Sequence, residues 1–83
     1  MSEIERILIT RGIELCSDWD KHNNAMNGAT EKWNRHYYDE KRLDAGNRLD
    51  EICLLARLLE LASYDDFRER IQKNYESTKE ENV

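Results

Sequence analysis

The chain contains no proline, and glycine interrupts it at only three positions, Gly12, Gly28 and Gly46. Proline breaks helices, whereas strands need clusters of turn residues about every 8–12 positions, and such clusters are missing. The sequence therefore predicts an all-α fold. We expect one domain of three helices over residues 1–75, followed by a frayed or disordered tail over residues 76–83.

Two serines mark the starts of helices. Ser2 precedes Glu5, and Ser63 precedes Asp66, at the spacing of a capping box. In this motif the serine hydroxyl accepts a hydrogen bond from the backbone amide three residues later. We therefore expect helix 1 to begin at Ser2 and helix 3 to begin at Ser63.

The segment at 22–30 is rich in Asn and Gly, which tolerate the positive φ angles of loops. It predicts that helix 1 ends near Asn23–Asn24 and that Thr30 caps helix 2. From Thr30 the helical pattern runs to Ala62. Its single soft spot is Gly46, where this long central helix could bend.

Apolar spacing predicts how the helices pack. Phe67, Ile71 and Tyr75 recur at every fourth residue and form one stripe on helix 3. Gly12 lies within the apolar arc of helix 1, where the missing side chain would admit another helix closely. Cys16 and Cys53 lie in apolar runs without a C-x-x-C pair, so we expect buried free thiols and a reducing compartment.

Residues 49–62 are apolar on nearly all sides, and the stripe on helix 3 is too narrow to cover them. Large uncovered apolar surfaces mark contacts with other chains. We therefore expect helix 2 to lie at the centre of a homodimer, unless a bend at Gly46 closes a compact bundle instead. The predicted dimer interface comprises Leu49, Ile52, Leu54, Ala56, Leu58 and Leu59.

The chain shows no sign of export or of membrane insertion. Its N-terminus is charged from the third residue and lacks a signal-peptide pattern. The longest apolar run, Ile52 to Ala56, is far shorter than the roughly 18 residues that span a bilayer. We expect a cytoplasmic protein.

The net charge of the chain is −5. This charge argues against binding to a nucleic-acid duplex, which needs clustered Lys and Arg, and it fits a partner protein with a basic surface.

No pattern of catalytic or metal-binding residues is complete. The segment 18–22 begins like a calcium loop, but Ala29 stands where that loop requires a glutamate. His36 and Glu40 are spaced as a surface pair of a histidine and a carboxylate, and a metal centre would need further converging ligands. No nucleophile motif or phosphate-binding glycine loop is present. We therefore expect no metal, no cofactor and no enzymatic activity. A small metal-dependent hydrolase remains as an alternative function, ranked below the nucleic-acid-binding regulator described at the end of this section.

Residues 30–48 combine aromatic rings with five Lys or Arg and four Asp or Glu. Trp, Tyr and Arg are enriched in protein-binding hot spots, and aromatic rings among cations also suit stacking on bases. The other interpretation is ordinary packing, with Trp33 and Tyr37 against the end of helix 1 near Trp19. If the segment forms a surface, its partner-binding residues are Trp19, Trp33, Arg35, His36, Tyr37, Tyr38 and Arg42.

These observations favour a small, acidic, all-helical protein that binds another protein as an accessory or inhibitory factor. Its size and charge are comparable with those of phage-encoded or antitoxin-like inhibitors, which occupy basic surfaces of enzymes. A nucleic-acid-binding regulator that uses residues 30–48 is the first alternative.

Overall fold

Three α-helices make up the computed structural model, which describes residues 2–81. Helix α1 spans Glu3–Gly28, α2 spans Lys32–Leu58 and α3 spans Tyr64–Glu81. No strand occurs among the described residues, so the prediction of an all-α fold with three helices is confirmed. α1 and α2 form an antiparallel hairpin, and α3 returns along one side of it. The molecule measures 44 × 31 × 18 Å.

Serine side chains cap α1 and α3 as the sequence predicts. The Ser2 hydroxyl accepts a hydrogen bond from the Glu5 amide, and the Ser63 hydroxyl accepts one from the Asp66 amide, both at 3.2 Å. Each bond satisfies an amide that has no partner within its own helix. The Glu5 carboxylate accepts a hydrogen bond from Arg70 at 3.3 Å, so it also joins α1 to α3.

The predicted end of α1 near Asn23–Asn24 is wrong, because the helix continues for another turn. The Asn23 side chain accepts a hydrogen bond from Arg42 of α2 at 3.0 Å, and this contact holds the last turns of α1 against α2. Thr30 is not the N-cap of α2. Glu31 occupies that position, without a capping hydrogen bond from its side chain.

α2 ends one turn before the predicted Ala62. The turn that follows is a Schellman motif, in which the Leu61 amide donates to the Ala56 carbonyl at 2.9 Å and the Glu60 amide donates to the Arg57 carbonyl at 3.0 Å. Glu60 has a φ of 59°, a conformation in which glycine is the usual residue. Because no glycine stands there, the sequence carries no sign of this helix end.

α2 is continuous through Gly46, and a bend there stays a prediction. α3 continues to Glu81, so residues 76–81 of the predicted tail are helical, and their fraying stays a prediction. Residues 82–83 of that tail lie outside the described residues, as does Met1 of the predicted domain.

The core lies where α3 crosses the hairpin. The predicted stripe of α3 forms its centre, and both Phe67 and Ile71 are completely buried. The two cysteines are buried and free, as predicted, and burial raises the pKa of each thiol. The core side chains are Ile9, Leu15, Cys16, Leu49, Cys53, Ala56, Phe67, Ile71 and Tyr75.

Gly12 lets α3 approach α1 closely, as its place in the apolar arc predicts. A Cβ atom at Gly12 would lie 2.6 Å from Cδ1 and 2.9 Å from Cγ1 of Ile71. Carbon atoms in contact normally stand about 3.5–4.0 Å apart. A larger residue at position 12 would therefore displace Ile71 from the core.

Two residues of the predicted dimer interface belong to this core. Leu49 and Ala56 are buried within the single chain, whereas Leu54, Leu58 and Leu59 are exposed. Leu49 and Ala56 therefore present no surface to a second chain. The apolar pattern of residues 49–62 does not reveal which of its stripes α3 covers, and for this reason the sequence groups core and surface residues together.

Candidate functional site: the open face of the central helix

α3 covers only one side of the α1–α2 hairpin. On that side, Asp50 of α2 accepts hydrogen bonds from Tyr64 and Arg68 of α3. On the opposite side, two shallow grooves run between α1 and α2, and no residue of α3 lines them. Arg11 of α1 and Arg48 of α2 line both grooves. This side of α2 is therefore uncovered.

The uncovered side of α2 carries a regular row of exposed residues, which we call the open face. Its members succeed one another at steps of three or four positions. Because an α-helix turns about 100° per residue, these steps keep all of them within about 100° of arc. The open face comprises Trp33, Tyr37, Lys41, Asp44, Arg48, Glu51, Leu55 and Leu58.

The aromatic end of the open face lies at the start of α2. Trp33 is 70% exposed and Tyr37 is 50% exposed, although large aromatic side chains are usually well covered. The Tyr37 ring packs edge-on against Tyr38, with 5.3 Å between the ring centroids. Lys41 Nζ lies 5.5 Å from the Tyr37 centroid. For Trp33, the interpretation of ordinary packing against helix 1 is therefore wrong.

Leucines occupy the other end of the open face. Leu55 is 43% exposed and Leu58 is 78% exposed. Leu54 and Leu59 flank them and are exposed as well, and Ile7 of α1 is exposed at the same end of the hairpin. Exposed apolar side chains that cluster in this way are typical of contact surfaces.

Charged residues separate the two apolar ends. Arg48 donates to the Asp44 carboxylate at 3.0 Å, one turn earlier on α2. Lys41 contacts the Tyr37 ring, and among the side chains of residues 2–79 neither Lys41 nor Glu51 has an ion-pair partner. The centre of the face therefore holds two charges of each sign, and two of the four lack a counter-ion among the side chains that the structure describes.

Trp19 and Arg42 lie together, but on the side of the hairpin that faces α3. The Arg42 guanidinium carbon lies 5.7 Å from the Trp19 ring centroid. Arg42 also donates hydrogen bonds to Asp39 and to Asn23. These two predicted partner-binding residues therefore hold α1 to α2 rather than join the open face.

His36 and Arg35 also lie outside the open face. His36 Nε2 is 3.0 Å from Glu40 Oε1, and both side chains are largely exposed, so the predicted contact between a surface histidine and a carboxylate is present. Arg35 is exposed, but it stands two residues from Trp33 and thus nearly on the opposite side of the helix. Of the predicted partner-binding set, only Trp33 and Tyr37 belong to the open face.

A cavity of about 270 Å³ lies where the three helices meet. At its edge the Tyr75 hydroxyl donates to the Asp20 carboxylate at 2.6 Å, and Lys79 donates to it at 3.1 Å. Burial disfavours the charged carboxylate, but these hydrogen bonds outweigh burial and lower the pKa of Asp20. Burial and the bond to Asp20 raise the pKa of Tyr75 to about 12. These polar groups are thus satisfied within the protein.

Other kinds of site gain no support from the described part of the chain. Within residues 2–79, whose side chains the structure describes, no three His, Cys, Asp or Glu side chains are grouped as metal ligands. No helix of that range is long and apolar enough to cross a membrane. Among the cations of residues 30–48, Arg42 and Arg48 are paired with Asp39 and Asp44, which leaves no continuous basic track for a phosphate backbone.

Sequence reasoning found the apolar residues Trp33, Tyr37 and Leu58 of the open face but missed its charged centre. The centre continues the same spacing of three and four residues, so the signal is present in the sequence. Spacing alone does not show that a stripe is uncovered, because this depends on where α3 packs.

Comparison of the chain with protein-family models, with curated proteins and with solved structures finds no match.

Proposed function

We propose that the protein is a helical protein-binding module and that the open face of α2 is its binding surface. The observation that carries this proposal is the 70% exposure of Trp33 on a regular row of residues. Burial of apolar surface is favourable by about 25 cal/mol per Å², so covering this ring would stabilise a complex. Trp and Tyr are also enriched among the residues that dominate binding energy.

The shape of the open face fits an elongated partner. From Trp33 to Leu58 it extends for about 38 Å, at about 1.5 Å per residue. An amphipathic helix presents side chains at the same spacing of three and four residues, and grooves recognise such helices through a row of anchors. We therefore expect the partner to bind as a helix along α2, with apolar side chains at both ends and charges of both signs between them.

Binding alone is enough for the protein to act as an accessory or inhibitory factor, because a covered surface on the partner is closed to other molecules. The net charge of −5 adds long-range attraction to a partner with a basic surface. The four central charges of the open face sum to zero and set the docking position instead, since complementary charges fix register more than affinity.

Photo-crosslinking in the cells that naturally make the protein tests the proposal. A benzophenone amino acid replaces Tyr37 on the open face, and in a matched control it replaces Lys73, which is exposed on α3. Irradiation is expected to join the variant at position 37 to one discrete protein of different sequence. The additional substitution Trp33→Ala is expected to reduce the yield of that adduct by at least about tenfold, as for a hot-spot residue.

Three results would contradict the proposal. They are equal adducts from positions 37 and 73, an adduct yield that Trp33→Ala leaves unchanged, and no adduct at position 37. An adduct with a second copy alone would exclude binding of a different protein, although the open face would still be a protein-binding surface.

A further inference from the structure

The charges of the open face are arranged with opposite signs about the middle of α2. Lys41 and Glu51 lie five residues on either side of Gly46, and Asp44 and Arg48 lie two residues on either side of it. Reversing the direction of the helix therefore places an acidic residue where a basic residue stood. Two open faces in antiparallel orientation would set Lys41 against Glu51 and Asp44 against Arg48, and a two-fold axis would make each contact twice.

The apolar ends follow the same symmetry. Tyr37 and Leu55 lie nine residues on either side of Gly46, and Trp33 lies opposite Leu58 to within one residue. In an antiparallel pair, each aromatic ring would thus pack on a leucine of the other copy. Trp33 and Leu58 are both largely exposed in the single chain, so most of their apolar surface is available for burial at this contact.

The central charges favour the antiparallel orientation over the parallel one. In the single chain, Lys41 and Glu51 have no ion-pair partner among the described residues. Antiparallel pairing supplies a counter-ion to each of them. A parallel pair in register would place every charge of the face against its own copy, and such juxtaposition of like charges is unfavourable.

We propose that a second copy of this chain binds the open face, in antiparallel orientation about a two-fold axis that crosses this face midway between Asp44 and Arg48. This inference rests on the proposed function, because it names one partner of the same binding surface. The partner of different sequence competes for that surface, so the homodimer is the form present before that partner binds. The dimer contact uses Leu55 with Tyr37 and Leu58 with Trp33, in place of the buried residues Leu49 and Ala56.

Reversal and restoration of charge test the pairing. Lys41→Glu sets two glutamates against each other at both symmetrical positions, and Glu51→Lys sets two lysines against each other. We expect each single variant to raise the dissociation constant of the dimer about tenfold, and the double variant to restore it to within about threefold of the native value. Sedimentation equilibrium over a concentration series resolves the dimer from the single chain of 10.0 kDa.

Lys73→Glu is the matched control, because it makes the same change of charge at an exposed position of α3. It should leave the dissociation constant within about twofold of the native value, since position 73 lies on α3 outside the open face and its exposed ion pair with Glu69 contributes little. Lys41 and Glu51 are both exposed, so circular dichroism should show native helix content in all four variants.

Disulfide trapping tests independently whether the two α2 helices of the dimer are antiparallel. Chains with Tyr37→Cys and chains with Leu55→Cys are mixed and oxidised with oxidised glutathione. The disulfide between position 37 of one chain and position 55 of the other is expected to form at least about tenfold faster than the disulfides 37–37 and 55–55. The reason is that a disulfide requires Cα atoms about 4.4–6.8 Å apart. The native cysteines are buried and do not compete. Preferential formation of the symmetrical disulfides would overturn the antiparallel arrangement.

A mass of 10 kDa at every concentration would overturn the proposal, and so would a double charge variant that dimerises as weakly as the single variants. Failure of the dimer and failure of the proposed function are distinguishable. A monomer that still gives an adduct with a different protein from position 37 would refute the dimer alone. A charge-dependent dimer without such an adduct would refute only the partner of different sequence.

Discussion

The two sides of the α1–α2 hairpin differ in the size of the side chains that they present. On the side that α3 covers, Gly12 and Ala56 leave room for a close approach, and Ile71 of α3 fills the space above Gly12. On the open face, Trp33 and Leu58 project into solvent. The covered side is thus built for a neighbour within the chain, and the open face is built with long side chains that a neighbour outside the chain can contact.

The two sides also differ in where their ion pairs run. On the covered side, ion pairs and hydrogen bonds connect α3 to the hairpin and fix the position of α3. These are Glu5 with Arg70, Asp20 with Lys79, and Asp50 with Arg68. On the open face, Asp44 and Arg48 pair within one helix, where they hold no second element. Of these ion pairs, only those of the covered side join two helices, so changes to the charges of the open face should leave folding intact.

Truncation of one large side chain on each side should give the largest contrast. Phe67→Ala is expected to lower the free energy of unfolding by about 3–5 kcal/mol, because Phe67 is completely buried and its removal leaves a cavity. At a concentration at which the chain is monomeric, Leu58→Ala should change it by less than about 0.5 kcal/mol, because Leu58 is 78% exposed in the single chain. Urea unfolding monitored by circular dichroism measures both, and similar losses would show that the open face belongs to the core.

Filling the space at Gly12 should have a smaller effect. Gly12→Ala is expected to destabilise the protein by about 1–3 kcal/mol, because overpacking against Ile71 exceeds the roughly 1 kcal/mol that alanine gains over glycine in a helix. Gly46→Ala is the control, since its Cβ would meet Trp19 at an ordinary 3.8 Å, and it should stabilise the protein by about 0.5–1 kcal/mol. Equal stabilisation by both changes would contradict the close approach of α3.

The hydrogen bond between Tyr75 and Asp20 should make docking of α3 sensitive to acid. The pKa of Asp20 is lowered in the folded protein, which means that Asp20 stabilises the fold as a charged carboxylate. This stabilisation is complete above the usual carboxyl pKa of about 4 and is lost as the pH falls through the lowered pKa of the folded state. Tyr75→Phe should therefore cost about 1–2 kcal/mol at pH 7 and progressively less below about pH 4.

Denaturant unfolding across this pH range measures the effect. Tyr38→Phe is the control, because the Tyr38 hydroxyl makes no hydrogen bond among the described residues and its loss should be neutral at every pH. A cost for Tyr75→Phe that is the same at pH 7 and at pH 3 would show that Asp20 does not stabilise the fold through its charge.

Some features of the covered side could be predicted from the sequence, because the residues involved have one usual structural role. Regular spacing identifies Phe67, Ile71 and Tyr75 as a buried stripe, and the serine caps fix two helix starts. The absence of a side chain at Gly12 indicates a close helix contact. Each of these signals is local, so a single sequence is enough to show it.

Features that depend on which elements meet could not be predicted. Asn23 is a loop former by propensity, but its hydrogen bond to Arg42 of α2 keeps it helical. Leu49 and Leu58 look alike in the sequence, and only the path of α3 makes the first a core residue and the second a surface residue. The charged centre of the open face was missed for the same reason, because a stripe of charges on a helix is ordinarily solvated.

Hydroxyl-radical footprinting of the purified protein over a dilution series measures most directly whether another chain covers the open face. We expect Tyr37, Leu55 and Leu58 to be protected at high concentration and to become reactive together on dilution. Leu43, which is 53% exposed on α2 outside the open face, should stay reactive throughout. If the reactivity of the open-face residues relative to that of Leu43 does not change on dilution, no second copy covers the open face.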